Sequence, residues 1–109
     1  MSDTPVLACD IFAMTPDQRA RHAALATQFR AEGEVEELPD GYAFVFAPDE
    51  VRALELTEFM LLERRCCPFL HLAVEFGPSG GTLRLRLTGA EGVKPFLAHE
   101  LDLADGSRG

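Results

Sequence analysis

Two cysteines stand side by side at positions 66 and 67, inside the stretch LLERRCCPFLHL, with proline next and Glu63 three and four residues before them. A third cysteine, Cys9, lies near the start of the chain. Thiolates select soft ions such as Cu(I), Zn(II) and Hg(II) over hard cations, and binding the ion itself deprotonates the thiol. Cys66 and Cys67 would supply two ligands, and Cys9 a third if the first segment runs beside the end of their helix. Glu63 would then be a supporting polar or proton-accepting group. The same residues fit a second chemistry, in which one cysteine is a nucleophile or redox thiol and Glu63 shuttles its proton. They also fit no chemistry, since free cysteine is among the most buried residue types and often only fills space.

Local geometry and electrostatics leave these alternatives open. Adjacent side chains in a regular helix diverge by about 100°, which keeps two thiols from one ion. Pro68 pushes the residue before it out of helical conformation, so the pair can converge where the helix breaks. The helix C-terminus carries partial negative charge and raises a thiol pKa, whereas Arg64 and Arg65 oppose that effect. A vicinal disulfide closes a small strained ring. Three cysteines, an odd number in a chain read as unexported, point to no disulfide framework. No Cys-x-x-Cys, His-x-x-x-His, phosphate loop or Gly-x-Ser-x-Gly motif accompanies them.

The elements that must position these groups follow from pattern and punctuation. PVLACDIFA, residues 5–13, reads as a first strand carrying Cys9. Thr15, Pro16 and Gln18 form a capping box with proline at the first helical position, and the helix runs to about Glu32 with Gly33 as its stop. His22, Leu25, Ala26 and Phe29 line its inner face, and His22 is expected as a packed side chain. Leu38-Pro39-Asp40-Gly41 reads as a type I turn, with Gly41 able to turn left-handed, between strands at about 34–38 and 42–46. A second helix opens at Ala47-Pro48-Asp49-Glu50 and ends at Cys66 or Cys67. Val51, Leu54, Leu56, Phe59, Met60, Leu61 and Leu62 make it apolar nearly all round, the pattern of a buried helix. Glu63 falls within that apolar stripe, so it should be buried and paired, with an arginine or solvent as the expected partner.

FLHLAVEF and TLRLRLT alternate as strands at about 69–76 and 82–88. Matching their apolar faces sets Val74 opposite Leu85, Glu75 opposite Arg84, and His71 opposite Thr88 on the solvent side. A last helix lies within about 90–103, with Pro95 in its first turn, Phe96, Leu97 and Leu101 inward, and His99 exposed. The order β-α-ββ-α-ββ-α predicts a two-layer α+β fold, an antiparallel sheet of four to five strands with helices on one side. At 109 residues the chain makes one domain, residues 1–103, with 104–109 as a tail.

A net charge of −8 excludes a nucleic-acid or anionic-membrane surface, both of which need a basic face. No apolar run approaches the ~20 residues of a membrane span, and the first residues lack a signal-peptide pattern, so a cytoplasmic location is expected. The segment ERRCCPFLHLAVEF with GGTLRLRLTGAEGVKPFLAHEL resembles small, mostly uncharacterised bacterial proteins found among mercury- and other heavy-metal-resistance genes. Those proteins share a Glu-Arg-x-Cys-Cys-Pro-Phe core and a Leu-Thr-Gly-x-Glu-Gly-Val-Lys segment. The likeness covers about residues 60–101 closely and the region of Cys9 and Pro16 more loosely. It implies a cytoplasmic role with thiophilic metals, in which Glu63, Cys66, Cys67 and Cys9 carry over as candidates. The reading is therefore a thiol protein that takes a soft metal ion. The alternatives are a thiol redox enzyme and an acidic interaction module, for which a second copy of the chain is a candidate partner.

Overall fold

The computed structural model describes residues 9–103, and its architecture is α+β in two layers: three helices over a four-stranded antiparallel sheet. Local punctuation accounts for the first helix, α1 (Pro16–Glu32). Thr15 Oγ1 accepts from the Gln18 N–H at 3.1 Å, and the Gln18 side chain accepts from the Thr15 N–H at 2.9 Å, which completes the capping box. Gly33 ends α1 in an extended conformation. It is required by proximity, not by handedness: a Cβ there would stand 2.7 Å from the Phe46 ring.

The hairpin β1 (Glu34–Leu38) and β2 (Gly41–Phe46) turns through Pro39 and Asp40. Gly41 does not turn left-handed; positive φ among the described glycines occurs at Gly80 and Gly92. Gly41 is instead a strand residue pressed so close to the next strand that a Cβ would lie 2.0 Å from the Leu87 carbonyl oxygen. The second hairpin joins β3 (His71–Phe76) to β4 (Leu83–Thr88). Its register pairs Val74 with Leu85, Glu75 with Arg84 and His71 with Thr88, as matching of the apolar faces requires. The hairpins then pair through β2 and β4, giving the order β1-β2-β4-β3.

Leu83, Leu85 and Leu87 of the interior strand β4 are fully buried, in one core cluster with Leu25 and Phe29 of α1, Leu56 and Phe59 of the second helix and Leu97 of the last helix. On the edge strand β3 the inward residues are less covered, and Phe76 is 65% exposed at its end. The opposite face of the sheet is charged, with Arg84 bridging Glu36 at 3.2 Å and Arg86 bridging Glu75 at 3.7 Å.

The second helix, α2 (Glu50–Cys66), begins at Asp49, whose carboxylate accepts from the Arg52 N–H, and stops where Pro68 demands. It is not buried all round. Leu56, Phe59, Leu62, Glu63 and Cys66 face the core, while Val51, Leu54 and Leu61 are exposed. The helix lies on the outside of a two-layer fold, so one stripe suffices to bury it. α3 (Val93–Glu100) buries Val93 and Leu97, carries Pro95 in its first turn, and is followed by Leu101, also buried. His99 is exposed, as expected.

The segment expected as a first strand takes another form where it is described. Cys9 and Asp10 lead into a single 3-10 turn, Ile11–Ala13, started by the Asp10 side chain accepting from the Phe12 N–H. Residues 5–8 of that expected strand, and the tail 104–109, lie outside the described residues. No helix among the described residues is long and apolar enough to cross a membrane.

Candidate functional site: three sulfurs at the end of α2

The last turn of α2 needs partners for its orphan carbonyls. The Cys67 N–H donates to Glu63 O, and the Asp10 N–H donates to Cys66 O at 2.8 Å. That second bond ties the Cys9–Asp10 segment to the helix end, beside Cys67. The two are joined in a disulfide that bridges 58 positions of sequence, with Cα atoms 4.9 Å apart. This corrects the expectation of no disulfide. An odd number of cysteines forbids complete pairing, but it does not forbid one bridge with one thiol left over.

Cys67 has left the helix, with φ −130° and ψ 69°, which turns its side chain back towards its neighbour. The Cys66 and Cys67 sulfurs consequently lie 3.6 Å apart, where a regular helix would splay them. All three sulfurs fall within 4.8 Å of one another, with Cys66 and Cys67 buried and Cys9 partly so. Cys66 is the free thiol of the three, and burial pushes it up to about 12, with the Glu63 carboxylate adding to the rise.

Glu63 is buried, as its place on the apolar stripe requires, but its partner is not an arginine. His22 Nε2 of α1 lies 2.5 Å from Glu63 Oε1, a separation that needs a proton between the two atoms. The imidazole is fixed by stacking on Phe59, centroids 4.8 Å apart and planes inclined by 16°. His22 thus packs on the inner stripe as expected and also has a polar role that the sequence reading missed. Its available signal was the His22–Leu25–Phe29 stripe itself: an inward imidazole needs an inward polar partner, and among the described residues Glu63 is the buried charged side chain. Glu63 does not join the three sulfurs as one group of four. It groups instead with His22 and Cys66, whose donor atoms also lie within 4.8 Å of one another.

Arg64 and Arg65 point away into solvent, so they do not offset the helix end at the thiols. An open groove of about 460 Å³ runs between α2 and β3, lined by Met60, Leu61, Arg64, Pro68, Leu70, His71 and Leu72. No cysteine lines it, so it is not the approach to the sulfurs. The arrangement can hold a soft ion once the bridge is opened, or exchange a disulfide between neighbouring sulfurs. No family model matches the chain, and neither curated proteins nor solved structures give a significant match.

Proposed function

We propose that the reduced protein holds one soft metal ion, Hg(II), Cu(I) or Zn(II), through Cys9, Cys66 and Cys67, and serves in the handling or sequestration of such ions. The observation that carries this reading is the gathering of three sulfurs, from two distant segments, within 4.8 Å of one another. Metal–sulfur bonds of about 2.3 Å put ligating sulfurs roughly 3.8–4.0 Å apart, so the 3.6 Å between Cys66 and Cys67 needs almost no adjustment. The bridged Cys9 must move further, and reduction of the disulfide frees it to do so. Cys66 is held protonated by burial, and an incoming cation reverses that balance because a bound thiolate is stabilised by the ion's own charge. The resemblance expected from residues 60–101, to proteins found among heavy-metal-resistance genes, would point in the same direction.

One observation favours a second reading, thiol–disulfide exchange: the Cys66 sulfur stands 3.6 Å from a disulfide sulfur. Cys66 would lose its proton, attack Cys67 Sγ, form the Cys66–Cys67 bond and release Cys9 as a thiolate that takes up the proton. A thiol pushed up to about 12 is a poor nucleophile at neutral pH, and the product ring is strained, so the metal reading is preferred.

Native mass spectrometry of the reduced protein with Hg(II) or Cu(I) should show one ion per chain. The Cys66→Ser/Cys67→Ser double variant should stay folded and lose it, and Cys9→Ser should weaken binding at least tenfold. Uptake by the wild type no greater than by the double variant would end this reading.

A further inference from the structure

Glu63 is a carboxylate on the core-facing stripe of α2, where an aliphatic side chain would ordinarily stand. It lies one turn before Cys66, and residues three apart on a helix share a face. His22 reaches the same point from α1, its ring orientation set by Phe59 and its Nε2 aimed at the carboxylate. One nitrogen, one carboxylate oxygen and one sulfur therefore converge within 4.8 Å, and the disulfide leaves this sulfur free.

We propose that His22, Glu63 and Cys66 form a second metal site, which takes a borderline divalent ion such as Zn(II) while Cys9 and Cys67 remain bridged. The donor set argues for the ion: mixed imidazole, carboxylate and thiolate ligands suit Zn(II) and Co(II), whereas Cu(I) and Hg(II) favour sulfur alone. Charge argues for it as well. A carboxylate and a thiolate neutralise a divalent cation, so the loaded site is neutral, as a buried site requires.

Geometry asks little of the scaffold. In a tetrahedral zinc site with bonds of about 2.0–2.1 Å, nitrogen and oxygen ligands stand roughly 3.3 Å apart. His22 Nε2 and Glu63 Oε1, now 2.5 Å apart across a proton, separate by less than 1 Å when the ion replaces that proton. The fourth position is left to water, and His22, at 19% side-chain exposure, is the way in. Phe59 behind the ring holds the imidazole plane whether the site is loaded or not.

Cys66 belongs to both donor sets, so one chain fills one site at a time. The redox state of Cys9 and Cys67 would then select the donor set on offer: three sulfurs when they are thiols, and nitrogen, oxygen and one sulfur when they are bridged. The second site shares Cys66 with the trithiolate reading but stands without it.

The test uses oxidised protein, verified to contain one disulfide and one free thiol per chain, titrated anaerobically with Co(II) and then Zn(II). One Co(II) per chain is expected, with a sulfur-to-cobalt charge-transfer band and the intense visible bands of tetrahedral cobalt, both bleached by Zn(II). Cys66→Ser should abolish the charge-transfer band, and Glu63→Gln and His22→Ala should each raise the Kd at least tenfold. His22→Ala, at a partly exposed position, remains informative if Glu63→Gln unfolds the protein. The Cys9→Ser/Cys67→Ser variant should bind Co(II) as the oxidised wild type does. No uptake by oxidised protein, or uptake indifferent to His22→Ala, would overturn the proposal while leaving the reduced trithiolate site standing. Uptake that survives in Cys9→Ser/Cys67→Ser with Hg(II) affinity unchanged would do the reverse.

Discussion

Cys66 is the residue on which both proposed sites turn, and its protonation can be followed directly. Burial, with the Glu63 charge second, disfavours the thiolate and pushes the group up to about 12. The folded pKa therefore lies above the unfolded one, near 8.5, so the neutral thiol's contribution to stability is complete below about pH 8.5. It is lost as pH rises from there towards about 12. In oxidised protein, iodoacetamide at pH 7.5 should modify Cys66 on the order of 10³-fold more slowly than an exposed thiol of ordinary pKa. Urea midpoints of the wild type and Cys66→Ala should differ by a constant amount up to about pH 8.5 and converge above it. Rapid labelling at neutral pH would show that the thiol is neither buried nor raised.

Among the elements, the junction between the two hairpins decides whether there is a sheet at all. β2 and β4 pair over their whole length, and Gly41 permits this by having no Cβ to meet the Leu87 carbonyl. A main-chain atom at 2.0 Å cannot step aside without breaking the pairing. Gly41→Ala should therefore cost more than about 3 kcal/mol, in the range reserved for severe core disruption. Gly33→Ala meets chiefly the tip of the Phe46 ring, which can rotate away, and should cost roughly 1 kcal/mol. Denaturant midpoints of the two variants measure the difference, and equal losses would mean that β2 and β4 do not lie so close. The same pairing places Leu83, Leu85 and Leu87, each fully buried, in one core cluster with Leu56, Phe59 and Leu62 of α2, whose other face leaves Val51, Leu54 and Leu61 in solvent.

For the molecule as a whole, the Cys9–Cys67 bridge is a long-range restraint. Closing a loop of 58 positions removes unfolded-state entropy that corresponds to about 4 kcal/mol. For a domain of this size each kcal/mol moves Tm by about 4–8 °C, so reduction should lower the midpoint by at least ~10 °C. A metal that binds the folded reduced chain then restores stability by mass action, by ~2.7 kcal/mol at a hundredfold excess over Kd. Thermal melts of oxidised, reduced, and reduced metal-loaded protein would follow this in sequence. A midpoint unaffected by reductant would mean that the bridge does not form. The charge of −8 assists the last step in general terms, since an anionic molecule draws cations to its surface.

Much of this structure is legible in the sequence because its causes are local. The capping box at Thr15, the stop imposed by Pro68 and the β3–β4 register need only neighbouring residues or a matched apolar face. The inward place of Glu63 follows in the same way from helical periodicity. Tertiary structure alone decided who meets whom. His22 lies 41 positions from the Glu63 it bonds, and Cys9 lies 58 from Cys67, so no pattern of spacing relates them. Those pairings depend on α1 crossing α2 and on one backbone bond from Asp10 to the carbonyl of Cys66. Periodicity says which way a side chain points along its own element; only packing, which brings separate elements into register, says what stands opposite it.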